Sequence, residues 1–431
     1  MTTSPGPATT SAHTPKPATA SAPAPGSAPS PTVLVDHDRL LSAVTGLFTG
    51  YGIPPGRAAV AATALCHGDL TGPASHGVAN LSRLYVPLLA SGRADPGAAP
   101  EVTADLGACA VVDARRALGL WAAAEAMEDA VRRARRHGIG LVAVRNGTHF
   151  GCAGFHAAQA AAHGMIGLVA SNCGGQRIAR PPHGALAMLG TNPLAVAAPA
   201  LDDHPFVLDM STTVVPTGRI RAAARQGERL PEGWLEDTAG RPVTDPAAFD
   251  RGTAYLRWLG GAADTGAYKG FGLGLVVELL AALLPGAAVG PAPAALAGDG
   301  RPHGRDDDIG FLLLVIAPHR LRPDGDFAGA AQEMFRSLLS CPPLDPHTPV
   351  RYPGWWEAER SQERRRTGIP LAAGVHEELT DLGLDLPAYE TADVLTTGVL
   401  TTDELTTDAL TADANAAGAL TAGVTGEEGA A

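Results

Sequence analysis

Five places in the sequence combine residue types and spacings that could do chemistry. In TGPASHGV, Ser75 and His76 follow a Gly-Pro turn and open an amphipathic stretch. Imidazole is the side chain whose ordinary pKa lies nearest neutrality, which suits a proton donor to a carbonyl. A serine at that point can cap a helix, and the free N–H groups around it attract an anion; the same pair also suits a plain cap followed by a surface histidine. In NGTHFGCAG, His149 stands between an apolar run and a glycine-rich helix start, with Phe150 and Gly151 beside it. Ligands bind at such strand ends in open α/β sheets, although a loop histidine beside a cap would read the same way. Thr191 in GTNP and Asp209, Met210 and Ser211 in LDMST offer hydroxyl, amide and carboxylate groups for ribose or phosphate oxygens, and each is also ordinary turn or strand-end composition. Lys269, beside Tyr268 in GAYKGFGL, is one of two lysines in the chain; the other is Lys16 near the N-terminus. A chain that otherwise uses arginine suggests that this position needs an ammonium on a flexible stem, and the flanking glycines and following helix resemble a phosphate site.

The elements that must position these residues can be read from periodicity. Asp36–Tyr51 and Pro55–Gly68 read as amphipathic helices, and a third is predicted from Ser75 to a glycine stop at Gly92. ACAVVDA reads as a strand. Leu118–His137 reads as a helix whose last turn gathers Arg132, Arg133, Arg135 and Arg136, a possible anion site but more simply a solvated face at a helix C-terminus. The pattern then alternates through strand GIGLVAVRN, helix GCAGFHAAQAAAHG and strand MIGLVASN to strands LAVAAP and FVLDMS. A helix over Lys269–Leu284, the strand IGFLLLVIA and helices over Gly329–Leu339, Pro353–Thr367 and Gly374–Leu384 complete the body. Alternation of this kind argues for an α/β core. The expected division is an arm at 1–32, a helical region from 33–115 plus 330–387, an α/β domain at 116–329 and a low-complexity tail at 388–431. The arm is almost all Pro, Ala, Ser, Thr and Gly and the tail repeats a Leu-Thr-Thr theme, so both are expected to be disordered.

Composition excludes several classes. With 32 Lys and Arg against 44 Asp and Glu the chain carries −12, which argues against phosphate-driven nucleic-acid binding. Five scattered cysteines without a CxxC pair argue against a zinc site or a disulfide framework and fit a reducing cytoplasm. No metal site is expected, and no apolar run is long enough to span a bilayer. HExxH, GxSxG and the P-loop are missing, and GFGLGL fails the GxGxxG spacing, so an ordinary Rossmann fingerprint is not supported.

In order along the chain, SHGV, NGTHFGCAG, SN, GTNP, LDMST, GERLPEGW, GAYKGFGL and YPG resemble the type-2 malate/L-lactate dehydrogenase family over roughly Leu40–Leu384. The resemblance implies a non-Rossmann α/β fold in which a central cofactor domain packs with a helical domain built from both ends of the chain. It implies a homodimer that transfers hydride between NAD or NADP and a 2-oxo acid, a 2-hydroxy acid such as malate or lactate, or a cyclic imino acid. His76 would be the general acid/base with Ser75 beside it. His149, Phe150, Gly151, Asp209, Met210, Ser211, Tyr268, Lys269, Pro353 and Gly354 would line the cofactor, and Thr191 would face cofactor or substrate.

Three departures stand out. Relatives commonly carry arginine four residues after the SHG histidine to grip the substrate carboxylate; here the residue is Asn80, with Arg83 one turn on. Members that reduce cyclic ketimines tend to carry aspartate where this chain has Arg219. The usual acidic residue after Pro353-Gly354 is replaced by Trp355. The carboxylate grip is therefore expected to have moved to Arg83 or Arg219. Two alternatives stand beside the hydroxy acid dehydrogenase: a cyclic imino acid reductase, and a family fold retained as a binding protein without turnover.

Overall fold

The computed structural model describes residues 32–388 except 263, 299, 303 and 304. The expected arm and tail thus lie outside the described residues, apart from Thr32 and Ala388 at their inner ends. The first described elements are β1 (Thr32–Val35) and α1 (His37–Gly50), whose first turn is capped where Asp36 Oδ1 accepts the Arg39 N–H at 2.8 Å. Leu40, Val44 and Phe48, four residues apart, form its buried stripe. Helix α2 (Pro55–Thr71) starts on a proline, whose missing N–H is no loss in a first turn, and ends at Gly72 with φ +119°. Its alanines let neighbours close in, and Ala58, Ala61, Ala62 and Ala64 are all buried.

The single helix expected from Ser75 does not form. Ala74–His76 and Val78–Asn80 are 3₁₀ turns, Leu81–Tyr85 is a π turn, and only α3 (Val86–Ala90) is α-helical. Ser75 consequently caps nothing.

From here the predicted alternation is realised. After β2 (Glu101–Asp105) come β3 (Cys109–Asp113), α4 (Gly119–His137), β4 (Ile139–Gly147), α5 (Ala153–Ala162), β5 (Ile166–Ser171), β6 (Leu194–Leu201) and β7 (His204–Met210). A small annex follows, with α6 (Thr217–Gln226), β8 (Leu235–Glu236), β9 (Pro242–Val243), α7 (Ala247–Asp250) and β10 (Tyr255–Leu256) around Leu235, Phe249, Leu256 and Trp258. The chain ends with α8 (Ala267–Val277), β11 (Ile309–Ile316), α9 (Pro318–Leu321), α10 (Phe327–Leu339), α11 (Trp355–Thr367), β12 (Ile369–Ala372) and α12 (Ala373–Asp381). The helix expected over Lys269–Leu284 starts two residues earlier and passes into a π turn at Glu278–Leu283.

One seven-stranded sheet, ordered β2-β3-β4-β11-β5-β6-β7, divides the core. Only β3 and β4 pair in parallel; β11 is antiparallel to both its neighbours, with Leu313 opposite Val142 on one side and Val169 on the other. Strands β2 and β3 belong to this sheet, so it begins before residue 116, the boundary expected for the α/β domain. The first and last described segments meet on the other side of α2, where β1 pairs with β12 and α11 packs against α2. The arginines closing α4 are largely satisfied locally: Arg133 meets Asp129 at 2.9 Å and Asp105 at 2.7 Å, and Arg132 meets Asp129 at 3.2 Å. No helix among the described residues is long and apolar enough to cross a membrane.

Residues 172–193, the long loop between β5 and β6, are anchored by buried Glu278. Its carboxylate accepts from Asn192 Nδ2 at 2.9 Å and lies 3.4 Å from both Asn172 Nδ2 and the Gly290 N–H. Removing this carboxylate strands buried donors at both ends of the loop. Glu278→Ala should cost about 2–4 kcal/mol of stability, read as a fall in the urea midpoint with an unchanged slope; a midpoint equal to that of the unsubstituted protein would show that the loop is held by other means.

Candidate active site

A cleft of about 1190 Å³ opens where the ends of β4 and β7 face α11, the Ala74–His76 turn and the start of α6. Its construction begins at α2. Asp69, in the last turn of that helix and almost wholly buried, accepts the Val78 N–H on Oδ2 at 2.6 Å. The carboxylate is folded so closely over Gly77 that a Cβ there would lie 2.1 Å from Oδ2. Gly77 is extended (φ −93°, ψ −156°), which interrupts the helix and turns His76 away from the helical path. Burial pushes the Asp69 carboxyl up to about 7, against the Val78 N–H and Arg364, which favour its charge.

On this turn the Ser75 hydroxyl engages His76 Nδ1 at 3.0 Å, leaving Nε2 as the atom to exchange a proton. The His149 ring lies nearly parallel to that of His76, centroids 5.9 Å apart and planes 15° from parallel. Two groups meet His149 Nδ1: the Gly151 N–H at 3.2 Å and the Tyr85 hydroxyl at 2.7 Å. Since an amide N–H can only donate, Nδ1 is an acceptor and the neutral ring carries its proton on Nε2, a tautomer assigned from the hydrogen bonds. Enclosure in the cleft, with Arg83 adding repulsion, lowers His76 to about 4. Burial, then His76 and Arg83, lower His149 to about 3. Both rings are therefore neutral at pH 7.

Arg83 and Tyr85 come from the π turn, a distortion often found at functional sites. Arg83 Nη2 donates to Asn80 Oδ1 at 2.6 Å, while Asn80 Nδ2 donates to the Ser75 carbonyl at 2.9 Å. Asn80 is buried and does not line the cleft; it links the Ser75–His76 turn to the arginine that does. Arg219 lines the cleft from the first turn of α6, 4.9 Å over the Trp234 ring. Gly218 beside it is pressed onto the histidine turn, so that a Cβ there would fall 2.4 Å from Ser75 Cβ.

Most of the residues singled out in the sequence converge. Ser75, His76, Arg83, His149, Phe150, Gly151, Thr191, Asp209, Met210, Ser211, Arg219, Pro353 and Gly354 all line the cleft. Asp209 Oδ2 accepts the Gly154 N–H at the start of α5 at 2.7 Å. Pro353 accepts the Val207 N–H at 3.0 Å, and a Cβ on Gly354 would meet the Pro205 carbonyl at 2.6 Å, so this pair lies hard against β7. Trp355 does not displace it; its ring stacks on His204 at 4.0 Å. Tyr268 and Lys269 are the exceptions. Both are exposed at the start of α8 and outside the cleft lining, with Lys269 Nζ 5.9 Å over the Tyr268 ring.

Several lining residues escaped the sequence reading. Glu357, Arg360, Ser361 and Arg364 form one face of α11, and their i, i+3, i+4, i+7 spacing was the available signal. Arg221, His67 and Cys173 had none, because neighbouring elements bring them in.

The cleft fits a dinucleotide together with a small acid. It exceeds an ordinary small-molecule pocket, its walls expose strand-end backbone where glycines permit close approach, and Arg360 and Arg364 supply cations suited to phosphate oxygens.

Comparison with known proteins agrees with this geometry. A family model described as malate/L-lactate dehydrogenase matches residues 35–380. A malate dehydrogenase of Pyrococcus horikoshii is 32% identical over 355 residues, covering 81% of this chain and 94% of the relative. A Delta(1)-pyrroline-2-carboxylate/Delta(1)-piperideine-2-carboxylate reductase of Pseudomonas putida is 35% identical over 315 residues, covering 72% and 88%. The crystal structure of malate dehydrogenase from Entamoeba histolytica superposes with a TM-score of 0.75 at 27% identity, covering 82% of this chain and 98% of that one. With its motifs gathered around one cleft and the match running through nearly all of the described residues, the chain belongs to the malate/L-lactate dehydrogenase family.

Proposed function

We propose that the chain is a nicotinamide-dependent 2-hydroxy acid dehydrogenase working between NAD or NADP and a 2-oxo acid related to oxaloacetate or pyruvate. The observation that carries this reading is the grouping of a neutral His76, oriented by Ser75, with a guanidinium from Arg83 in a cleft large enough for a dinucleotide. When bound, the nicotinamide ring supplies or accepts the hydride. Arg83 holds the substrate carboxylate, and His76 Nε2 gives a proton to the substrate oxygen in reduction or removes it in oxidation. His149, Phe150 and Gly151 on one wall, and Asp209, Met210 and Ser211 on the other, position the cofactor with Pro353, Gly354 and Thr191. Arg360 and Arg364 take its phosphates. The reductase relative from Pseudomonas putida favours a second reading, a cyclic imino acid reductase; Arg219, where such members tend to carry aspartate, argues against it.

A homodimer is part of the proposal. Tyr268, Val276, Leu279, Leu283 and Leu284 are exposed along α8 and its π turn, with Leu279 57% and Leu283 59% accessible. A second copy is the occupant we assign to this face, and Tyr268 and Lys269 would then stand at the subunit boundary.

Oxidation of NADH and NADPH by a panel of 2-oxo acids and cyclic imines tests the activity, and turnover of imines alone would reverse the choice between the two readings. His76→Ala should lower kcat by about 10²- to 10⁴-fold while the dissociation constant for the cofactor hardly moves; an active variant would remove the histidine from its role.

The pH dependence follows from the lowered His76. Because kcat/KM reports the free enzyme, oxidation, which needs neutral imidazole, should stay level from pH 8 down to pH 5 and fall only towards pH 4. Reduction needs the protonated ring, so its kcat/KM should drop about tenfold per pH unit above that point. An inflection near 6.5 in either direction would contradict the enclosed, repelled histidine.

For the dimer, the unsubstituted chain should sediment at twice its 43.8 kDa mass and Leu279→Asp/Leu283→Asp at the mass of one chain. A variant that still sediments as a dimer would place the interface elsewhere.

A further inference from the structure

Among the cations lining the cleft, Arg83 and Arg219 have no carboxylate partner among the described residues, and one substrate carboxylate can satisfy only one of these two. The charged groups around His76 divide clearly. Arg221 donates to Asp250 at 2.9 Å and Asp306 accepts from Arg93 at 2.8 Å, so each of these is compensated within the protein. Arg83 has only the neutral Asn80 oxygen, and Arg219 has only the face of Trp234. Among the described residues neither forms an ion pair. Arg221 and Arg225 stand close enough to repel the Arg83 guanidinium, while Asp250 and Asp306, which favour its charge, are each already engaged by another arginine.

Arg219 is also held in place. Trp234 supports the guanidinium plane from below, a contact lysine would make less well. The α6 turn that carries it is locked to the catalytic turn through the close approach of Gly218 to Ser75. A residue so fixed is suited to reading one particular position on a bound substrate.

We propose that Arg219 is a specificity-determining residue that pairs with a second anionic group on the substrate, so that the preferred substrates are 2-oxo acids with a negative charge at each end. The inference rests on the proposed dehydrogenase reading, in which Arg83 takes the carboxylate next to the reacting carbon. Substrate and cofactor together displace water from the cleft. A substrate with a neutral distal end then leaves the Arg219 guanidinium without its water and without a partner, whereas a distal anion replaces the lost hydration with charge-assisted hydrogen bonds. Discrimination comes from penalising the neutral end as much as from attracting the charged one.

The test compares oxaloacetate with 2-oxosuccinamate, the same carbon chain with an amide in place of the distal carboxylate. Reduction of each is followed by NADH and NADPH oxidation for the unsubstituted enzyme, Arg219→Gln and Arg83→Gln. The unsubstituted enzyme should favour oxaloacetate in kcat/KM by tenfold or more. Arg219→Gln should collapse that ratio towards one, mainly by raising KM for oxaloacetate, whereas Arg83→Gln should depress both substrates together. Equal use of the two by the unsubstituted enzyme, or an equal loss on both in Arg219→Gln, overturns the inference while leaving the dehydrogenase reading in place. Failure to reduce these or any other 2-oxo acid overturns the dehydrogenase reading, and the assignment of Arg219 falls with it.

Discussion

The carboxylate of Asp69 sits where water cannot follow it, and the shape of the Ser75–His76 turn depends on that. A helix continuing from Ser75 is weakened at Pro87, which cannot donate to the Arg83 carbonyl, but that residue does not account for the break at Gly77. What causes that break is a buried acceptor reaching across from α2 to the Val78 N–H, with Gly77 thin enough to pass beneath. A buried acceptor must be satisfied, and its demand outweighs the modest preference of a few residues for a regular helix. The broken path brings Ser75, His76, Arg83 and Tyr85 together; in an α-helix His76 and Arg83, seven residues apart, would still share a face, but Tyr85 would point to the opposite one.

Around that turn the charges are arranged by mutual exclusion. Burial keeps two histidines neutral, and the arginine beside them adds to it. A neutral imidazole beside a guanidinium is a base waiting for a proton, and an anionic substrate would relieve the repulsion that keeps the proton away. The empty and filled clefts therefore differ in electrostatics as well as in occupancy. Asn80 fits this arrangement: it provides no charge, but it joins the Ser75 carbonyl to the Arg83 fork and so couples the orientation of Arg83 to that of the His76 turn.

Much of this was legible in the sequence because it depends on local pattern. Apolar runs such as GLVAV and FLLLVI could only be buried strands, and histidine or aspartate at a run's end had to fall at a sheet edge, as His149 and Asp209 do. The face of α11 that carries Arg360 and Arg364 was equally legible by spacing, but it lay beneath the expectation of an acidic residue after Gly354. The turn at Ser75–His76 was not legible, since its cause lies in the preceding helix and acts through space. Lys269 shows a different limit. A composition in which one lysine survives says that a site matters without saying where it faces, and in the folded chain it stands outside the cleft. Arg219 was noticed only as a departure from the family pattern; its support on Trp234 comes from an annex whose short strands leave little periodicity to read.

The position of β11 constrains how the protein can be made. This strand lies at the centre of the sheet between β4 and β5, yet it is the last of the seven to leave the ribosome. Until it arrives, β4 and β5 each present an unpaired edge of apolar residues, and the two halves of the cleft wall have no common register. Pairing across such sequence separation is slow because chain closure must precede the reward of contact. The cleft is accordingly a late product of folding, and the exposed edges of β4 and β5 in the growing chain are the natural target for chaperones and the natural starting point for aggregation.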